Sequence, residues 1–311
     1  MQGNASGGEK HHELPILLLT VVTTFKRLRE DMEALLPHIL LLFKCFWLRL
    51  KRLFVLPHYI AYKRKRAENP PLFIIGCGHS GTSLLLAILG SHSKICAIPQ
   101  ESCIAYNYLT RAPGLSSDAK LFLKYFNLLA ISEKKMRWIE KTPKQIYSIP
   151  LLRRLVPGCK FIIILRDGRD VACSLAARYG SLEDAIKRWV EDNEAGEVFW
   201  KDPDVHVLKY EDIIDHFTEI ISNALIFMGE EFEEQLLRSH EKPKYYYSSK
   251  IEKPPDESPR NHAQYRNWQI NQKIFDGRGK WKQLSEAEKT TIKTFGGDML
   301  IKYGYVADQN W

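Results

Sequence analysis

Residues 72–83 read Leu-Phe-Ile-Ile-Gly-Cys-Gly-His-Ser-Gly-Thr-Ser. Four consecutive apolar residues without polar alternation predict a strand buried on both faces, as in the middle of a parallel sheet. Gly76, Gly78 and Gly81 then permit a tight turn and a close backbone approach. Ser80, Gly81, Thr82 and Ser83 can aim backbone N–H groups at an anion, and a helix predicted over 81–90 adds a partial positive charge there. The spacing Gly76-x4-Gly81 is that of a nucleotide phosphate loop, but Thr82 stands where an ATPase or GTPase carries lysine. The pattern predicts a loop that holds a phosphate without the lysine that bridges β- and γ-phosphates. It points to a phosphate-bearing donor that has no γ-phosphate.

Paired prolines at 70–71 stop any preceding helix and mark a boundary. The predicted domains are therefore 1–69, an N-terminal extension, and 70–311. Beyond the boundary, strands predicted over 72–76, 137–140, 160–165 and 205–209 alternate with helices predicted over 81–90, 119–130, 144–155, 169–178, 182–200, 211–228 and 285–302. That alternation predicts an α/β fold, a P-loop-type three-layer sandwich with a central parallel sheet, preceded by the helical extension. Residues 242–280 break the pattern with a tyrosine-rich, proline-rich stretch and are predicted to form a long surface loop.

The formal net charge is +8, but residues 1–69 hold twelve Lys and Arg against six acids. The basic excess belongs mainly to the extension and gives no argument for a nucleic-acid-binding core. From Lys44 to Arg66 there are eight basic residues and no acid, interleaved with Phe, Trp and Leu. A segment of that kind over residues 14–66 reads either as lying on an anionic membrane surface or as packing on the catalytic domain or a partner. The uncharged run 14–25 is shorter than the ~20 residues that span a bilayer. Lys44 and Arg49 speak against a spanning helix near residues 34–50, and no small-residue cleavage site marks a signal peptide. Cys45, Cys77, Cys96, Cys103, Cys159 and Cys173 form no CxxC pair. They read as small buried thiols of a reducing compartment, so the expected location is cytoplasmic, peripheral on a membrane if the extension binds one, with a Golgi or secretory membrane as the alternative.

A second buried strand, Lys160 to Leu165, runs directly into Arg166-Asp167-Gly168-Arg169-Asp170. Ligands of parallel sheets bind beyond the carboxyl ends of the strands, so Arg166 is predicted on the same rim as the Gly76–Ser83 loop. Ser174 follows about two helical turns later and can face the same ligand. An arginine fork with a hydroxyl suits a second phosphate. The competing reading makes Arg166 the surface partner of Asp167 or Asp170.

These segments resemble the sulfotransferases that use 3′-phosphoadenosine 5′-phosphosulfate (PAPS). The first loop is similar to the family's 5′-phosphosulfate loop, and Arg166 with Ser174 to its 3′-phosphate pair. The run Arg-Asp-Gly-Arg and Ile139-Glu140-Lys141-Thr142-Pro143 are most similar to the tyrosylprotein sulfotransferases and their bacterial relatives. Tyr210, in Leu208-Lys209-Tyr210-Glu211-Asp212, resembles the tyrosine that touches the donor nucleotide. Gly277-Arg278-Gly279-Lys280-Trp281 resembles the late segment that closes over the phosphates. The resemblance covers about residues 70–306.

It implies an enzyme that transfers a sulfonate group from PAPS to a hydroxyl or amine, without a metal. Donor contacts are expected from Gly78, His79, Ser80, Gly81, Thr82, Ser83, Arg166, Ser174, Tyr210, Gly279 and Lys280. The tyrosylprotein branch has its glutamate base shortly after the loop helix. Glu101 is the one acid between residues 70 and 117 and is the expected base; partial desolvation at the rim would raise its pKa towards the working pH. Capping of a helix N-terminus is its alternative role. His79 stands where the family commonly has Lys or Arg against the sulfonate; it is expected to contact the phosphosulfate, and it is the alternative base. Lys141 is expected to supply permanent positive charge, its alternative being an ion pair with Glu140. Two other functions compete: a nucleotide kinase or NTPase, and a non-catalytic membrane-associated protein on a degenerate sulfotransferase fold. The acceptor can be a small molecule, a glycan, a lipid or a peptide tyrosine, shaped by Tyr106, Tyr108, Arg111 and the 242–280 loop.

Overall fold

The computed structural model describes residues 69–99, 101–105, 116–241 and 262–311. The extension with its proposed membrane segment, Cys45, Tyr106, Tyr108, Arg111 and the 242–261 part of the predicted loop lie outside the described residues.

Five strands form one sheet: β1 (Leu72–Gly76), β2 (Ile95–Ala97), β3 (Arg137–Lys141), β4 (Lys160–Leu165) and β5 (Val205–Lys209). The order is β2-β3-β1-β4-β5, and every pairing is parallel. The fold is the α/β sandwich with a central parallel sheet that the alternation predicts. β1 lies at the centre, with Leu72 opposite both Ile139 and Lys160.

Alternate residues of β1 serve opposite layers, as the two-residue strand period requires. Leu72 and Ile74 join Ile162 and Ile164 of β4 under α1 (Thr82–Leu89) and α7 (Phe217–Met228). Phe73 and Ile75 join Phe161 and Ile163 under α2 (Ser116–Ser132) and α3 (Ile149–Leu155). Phe73 stacks on Phe161 at 5.7 Å and meets the edge of Trp138 at 5.4 Å. Truncating such a buried ring costs about 3–5 kcal/mol. A third core joins α4 (Gly168–Tyr179), α5 (Leu182–Glu197) and α9 (Glu286–Lys302) around buried Trp189.

Three local expectations change. The helix read as 211–228 is two, α6 (Tyr210–Asp215) and α7, broken at His216, whose φ of −134° is not helical. Residues 143–148 form a 3-10 turn that opens on Pro143 before α3 begins. The stretch read as one loop holds α8 (His262–Gln269) and a 3-10 turn over Lys280–Gln283. Among the described residues, no helix is long and apolar enough to cross a membrane. Their five cysteines are all free thiols.

Candidate functional site: a phosphate loop and two arginine-bearing walls

All strands being parallel, β1, β3, β4 and β5 present their carboxyl ends along one rim. The phosphate loop leaves β1 there, Lys141 ends β3, Arg166 follows β4, and Tyr210 follows β5. In the loop, Ser80 N–H donates back to the Cys77 carbonyl at 3.3 Å, and Gly81 caps α1 with φ 96°. A Cβ on Gly81 would stand 2.6 Å from the Tyr210 ring, so both the conformation and the space demand glycine. The first N–H groups of α1 have no partners within the helix and face the rim.

Arg166 is held by uncharged groups. It donates to the carbonyls of His79 at 3.1 Å and Gly277 at 2.7 Å, and its guanidinium lies 4.2 Å from the centre of the Tyr210 ring. Its buried Nε has no hydrogen-bond partner, and neither has the buried Ser80 Oγ. The expected alternative, Arg166 paired with Asp167 or Asp170, is not what forms. Asp167 caps α4 and binds Arg169 at 2.6 Å. Asp170 accepts from the Gly279 N–H at 2.9 Å and the Trp281 N–H at 3.4 Å. That clamp brings the 279–281 segment, and with it Lys280, to the rim.

These groups enclose a cavity of about 220 Å³. His79, Gly81, Ser83, Arg166, Ser174, Tyr210 and Lys280 line it, seven of the residues expected to touch the donor. His79 has φ 68°, and its ring Nδ1 is 2.7 Å from Ser174 Oγ. Burial raises the Tyr210 phenol, which keeps its proton; its hydroxyl donates to the Phe275 carbonyl at 3.4 Å. Gly78, Ser80, Thr82 and Gly279 contribute backbone near the cavity without lining it, and the Ser80 and Thr82 side chains are buried.

Among the lining residues not singled out from sequence are Arg178, Tyr265 and Lys273. Arg178 sits four residues after Ser174, one helical turn along the same face, so spacing alone would have found it. Tyr265 and Lys273 come from the stretch read as structureless, where no period pointed inward.

The other expected catalytic pair stands apart from this cavity. The Lys141 ammonium, 2% exposed, forms an ion pair with Glu101, 37% exposed. The alternative pairing of Lys141 with Glu140 fails because successive strand residues face opposite sides. Glu140 instead accepts four hydrogen bonds: from Ser102 N–H at 2.9 Å and Oγ at 2.8 Å, Thr142 Oγ1 at 2.5 Å and Gln145 Nε2 at 2.6 Å. Burial pushes its carboxyl up, against the Thr142 and Ser102 hydrogen bonds. Cys103 N–H donates to Thr142 Oγ1, and Ala105 N–H to Gln145 Oε1, each at 3.2 Å. The segment carrying Glu101 is thus stitched to the end of β3 by its neighbours.

Residues 105–234 match a model described as the Sulfotransferase family. An uncharacterised protein of Aquifex aeolicus (strain VF5) is 24% identical over 220 residues, 60% of this chain and 28% of the relative. Protein-tyrosine sulfotransferase 2 of Gallus gallus is 24% identical over 236 residues, 64% of this chain and 62% of the relative. The chain therefore spans less than two thirds of either relative. Among solved structures, a sulfotransferase domain from the curacin biosynthetic pathway superposes with a TM-score of 0.49 and 16% identity, covering 74% of this chain and 97% of that one. The matched stretch contains Lys141, Arg166, Ser174 and Tyr210, the residues through which the motifs resemble that family.

Proposed function

We propose that the protein transfers a sulfonate group from PAPS to an acceptor hydroxyl or amine. The observation that carries this reading is the donor cavity, in which Arg166, Ser174 and Lys280 converge beside the phosphate loop. The unpartnered Arg166 Nε and Ser80 Oγ are buried polar atoms of the kind a phosphate group satisfies. Arg166, Ser174 and Arg178 would hold the 3′-phosphate of the donor. The N–H groups of residues 81–83 at the α1 N-terminus would hold the 5′-phosphate, with Lys280 beside them in the cavity lining. Thr82, in the place of a triphosphate-binding lysine, favours this donor over ATP.

Glu101 is the general base of the proposed reaction. It accepts the acceptor's proton while the new oxygen–sulfur bond forms and the bond from sulfur to the 5′-phosphate oxygen breaks, leaving its electron pair on that phosphate. Lys141, paired with Glu101, aims it at the acceptor. The name of the Gallus gallus relative makes a peptide tyrosine one acceptor to test, beside small molecules, glycans and lipids.

Incubation of the full chain with sulfur-labelled PAPS and a metabolite extract tests the reading. The expected result is a labelled product and free 3′-phosphoadenosine 5′-phosphate (PAP), with no loss when a metal chelator is added. Label that stays on PAPS, while ATP loses its γ-phosphate to an extract component, would replace sulfonate transfer by a kinase reaction.

A further inference from the structure

Arg188 takes no part in the donor contacts above, yet its guanidinium rests on the phosphate loop. It projects from α5, and its Nη2 lies 3.1 Å from where a Cβ on Gly78 would stand. A methyl at 78 would shift it by a few tenths of an ångström. Asp192, one helical turn on and 1% exposed, faces Arg188 Nε at 3.4 Å. The same carboxylate accepts from Tyr147 Oη at 2.6 Å, and the buried Cys77 thiol of the loop lies beside it, kept protonated by burial and by Asp192. The guanidinium is therefore held by Asp192 and Tyr179, with its Nη2 against the loop. The Arg188 side chain is 26% exposed, so a ligand can reach it.

Two other ionisable side chains expected at the transfer step have partners of their own. His79, the loop's own ionisable side chain, is turned to Ser174 in the nucleotide cavity. Lys141 is neutralised by Glu101. We propose that Arg188 contacts the sulfonate group of the donor and is the permanent cation of the transfer step. The inference rests on the PAPS reading above. A guanidinium stays charged at every working pH, whereas histidine changes charge near neutrality. Its planar N–H edge suits sulfonate oxygens, which carry negative charge from donor to product. During transfer the acceptor oxygen bonds to sulfur, the phosphate oxygen leaves with its electron pair, and the acceptor proton passes to Glu101. Arg188 changes no bond in this step and stabilises charge on the group in flight.

PAP lacks the sulfonate, so comparing PAPS with PAP isolates this contact without a known acceptor. Binding of each to the full chain is measured by calorimetry for wild type, Arg188→Ala, Arg188→Lys and Gly78→Ala. The expected outcome for Arg188→Ala is PAPS affinity reduced about tenfold, the loss of one charge-assisted contact, with PAP affinity unchanged. Arg188→Lys should recover part of the loss. Gly78→Ala, which displaces the guanidinium while leaving Arg188 and Asp192 in place, should show the same selective loss in smaller measure and guards against misfolding of the Arg188 variants. Equal weakening of PAPS and PAP in both Arg188→Ala and Gly78→Ala, or no weakening of either, overturns the role of Arg188 alone. A wild-type chain that binds neither nucleotide removes the donor reading and the role of Arg188 with it.

Discussion

The two halves of the rim hold their cations in opposite ways. On the donor half, Arg166 leans on the carbonyls of His79 and Gly277 and on the face of Tyr210. None of these removes its charge, so the guanidinium is ready for an incoming anion. On the transfer half, the Lys141 ammonium is paired with the Glu101 carboxylate, and the neighbouring Glu140 is satisfied by four donors. The donor half is a preformed receptor; the transfer half is closed on itself by the Lys141–Glu101 pair. Substitutions on the two halves should therefore fail in different ways.

The largest expected effect is on the transfer half. Glu101→Gln removes the proposed base and should lower turnover by about 10²–10⁴-fold, with PAP binding unchanged by calorimetry. Near-normal turnover would remove Glu101 as base and return that role to His79. Glu140→Ala should act on stability instead. It strands the donors of Ser102, Thr142 and Gln145, and urea denaturation should record a loss of about 3 kcal/mol; a loss below 1 kcal/mol would mean that this network does not fasten the Glu101 segment. Glu140→Gln should cost less, because the amide oxygen keeps an acceptor for Ser102 and Thr142.

On the donor half the effects should appear in binding. Arg166→Ala should weaken PAP by roughly ten- to a hundredfold, the span of one or two charge-assisted hydrogen bonds. Adenosine 5′-phosphate, which lacks the 3′-phosphate, should change little. Equal loss for both would put Arg166 on another part of the nucleotide. The smallest effect is expected at Asp276, beside the Gly277 carbonyl that Arg166 uses. Hydrogen bonds from Arg278 hold its carboxyl down at about 2, below its ordinary value of 3.8. A depressed carboxyl contributes fully above its unfolded value and loses that contribution as the pH falls through about 2. PAP affinity should therefore show no step from this group between pH 5 and 8, and Asp276→Asn should cost less than about 1 kcal/mol. A loss of PAP affinity on acidification that Asp276→Asn abolishes would contradict this assignment.

Much of this division was legible in the chain because apolar runs report burial directly. β1 and β4 begin and end almost where their apolar runs do, and Arg166 and Lys141 followed from strand ends. β2 escaped because an edge strand of three residues, Ile95–Ala97, is too short to show a period. The break at His216 escaped because both flanking segments carry helical patterns. What sequence could not supply were contacts between distant segments. Asp170 lies four residues from Arg166, yet its partners are Gly279 and Trp281. Arg188 sits in an ordinary amphipathic helix, and only the fold brings it onto Gly78.

The central claim, that the cavity beside the phosphate loop is built for a nucleotide with a 3′-phosphate and no γ-phosphate, is tested most directly by one set of titrations. PAP, adenosine 5′-phosphate and ATP are each titrated into the full wild-type chain at the same pH and salt. The account predicts that PAP binds at least about tenfold more tightly than either of the others, because only PAP engages Arg166 and Ser174. ATP binding as tightly as PAP, or PAP no tighter than adenosine 5′-phosphate, would contradict it.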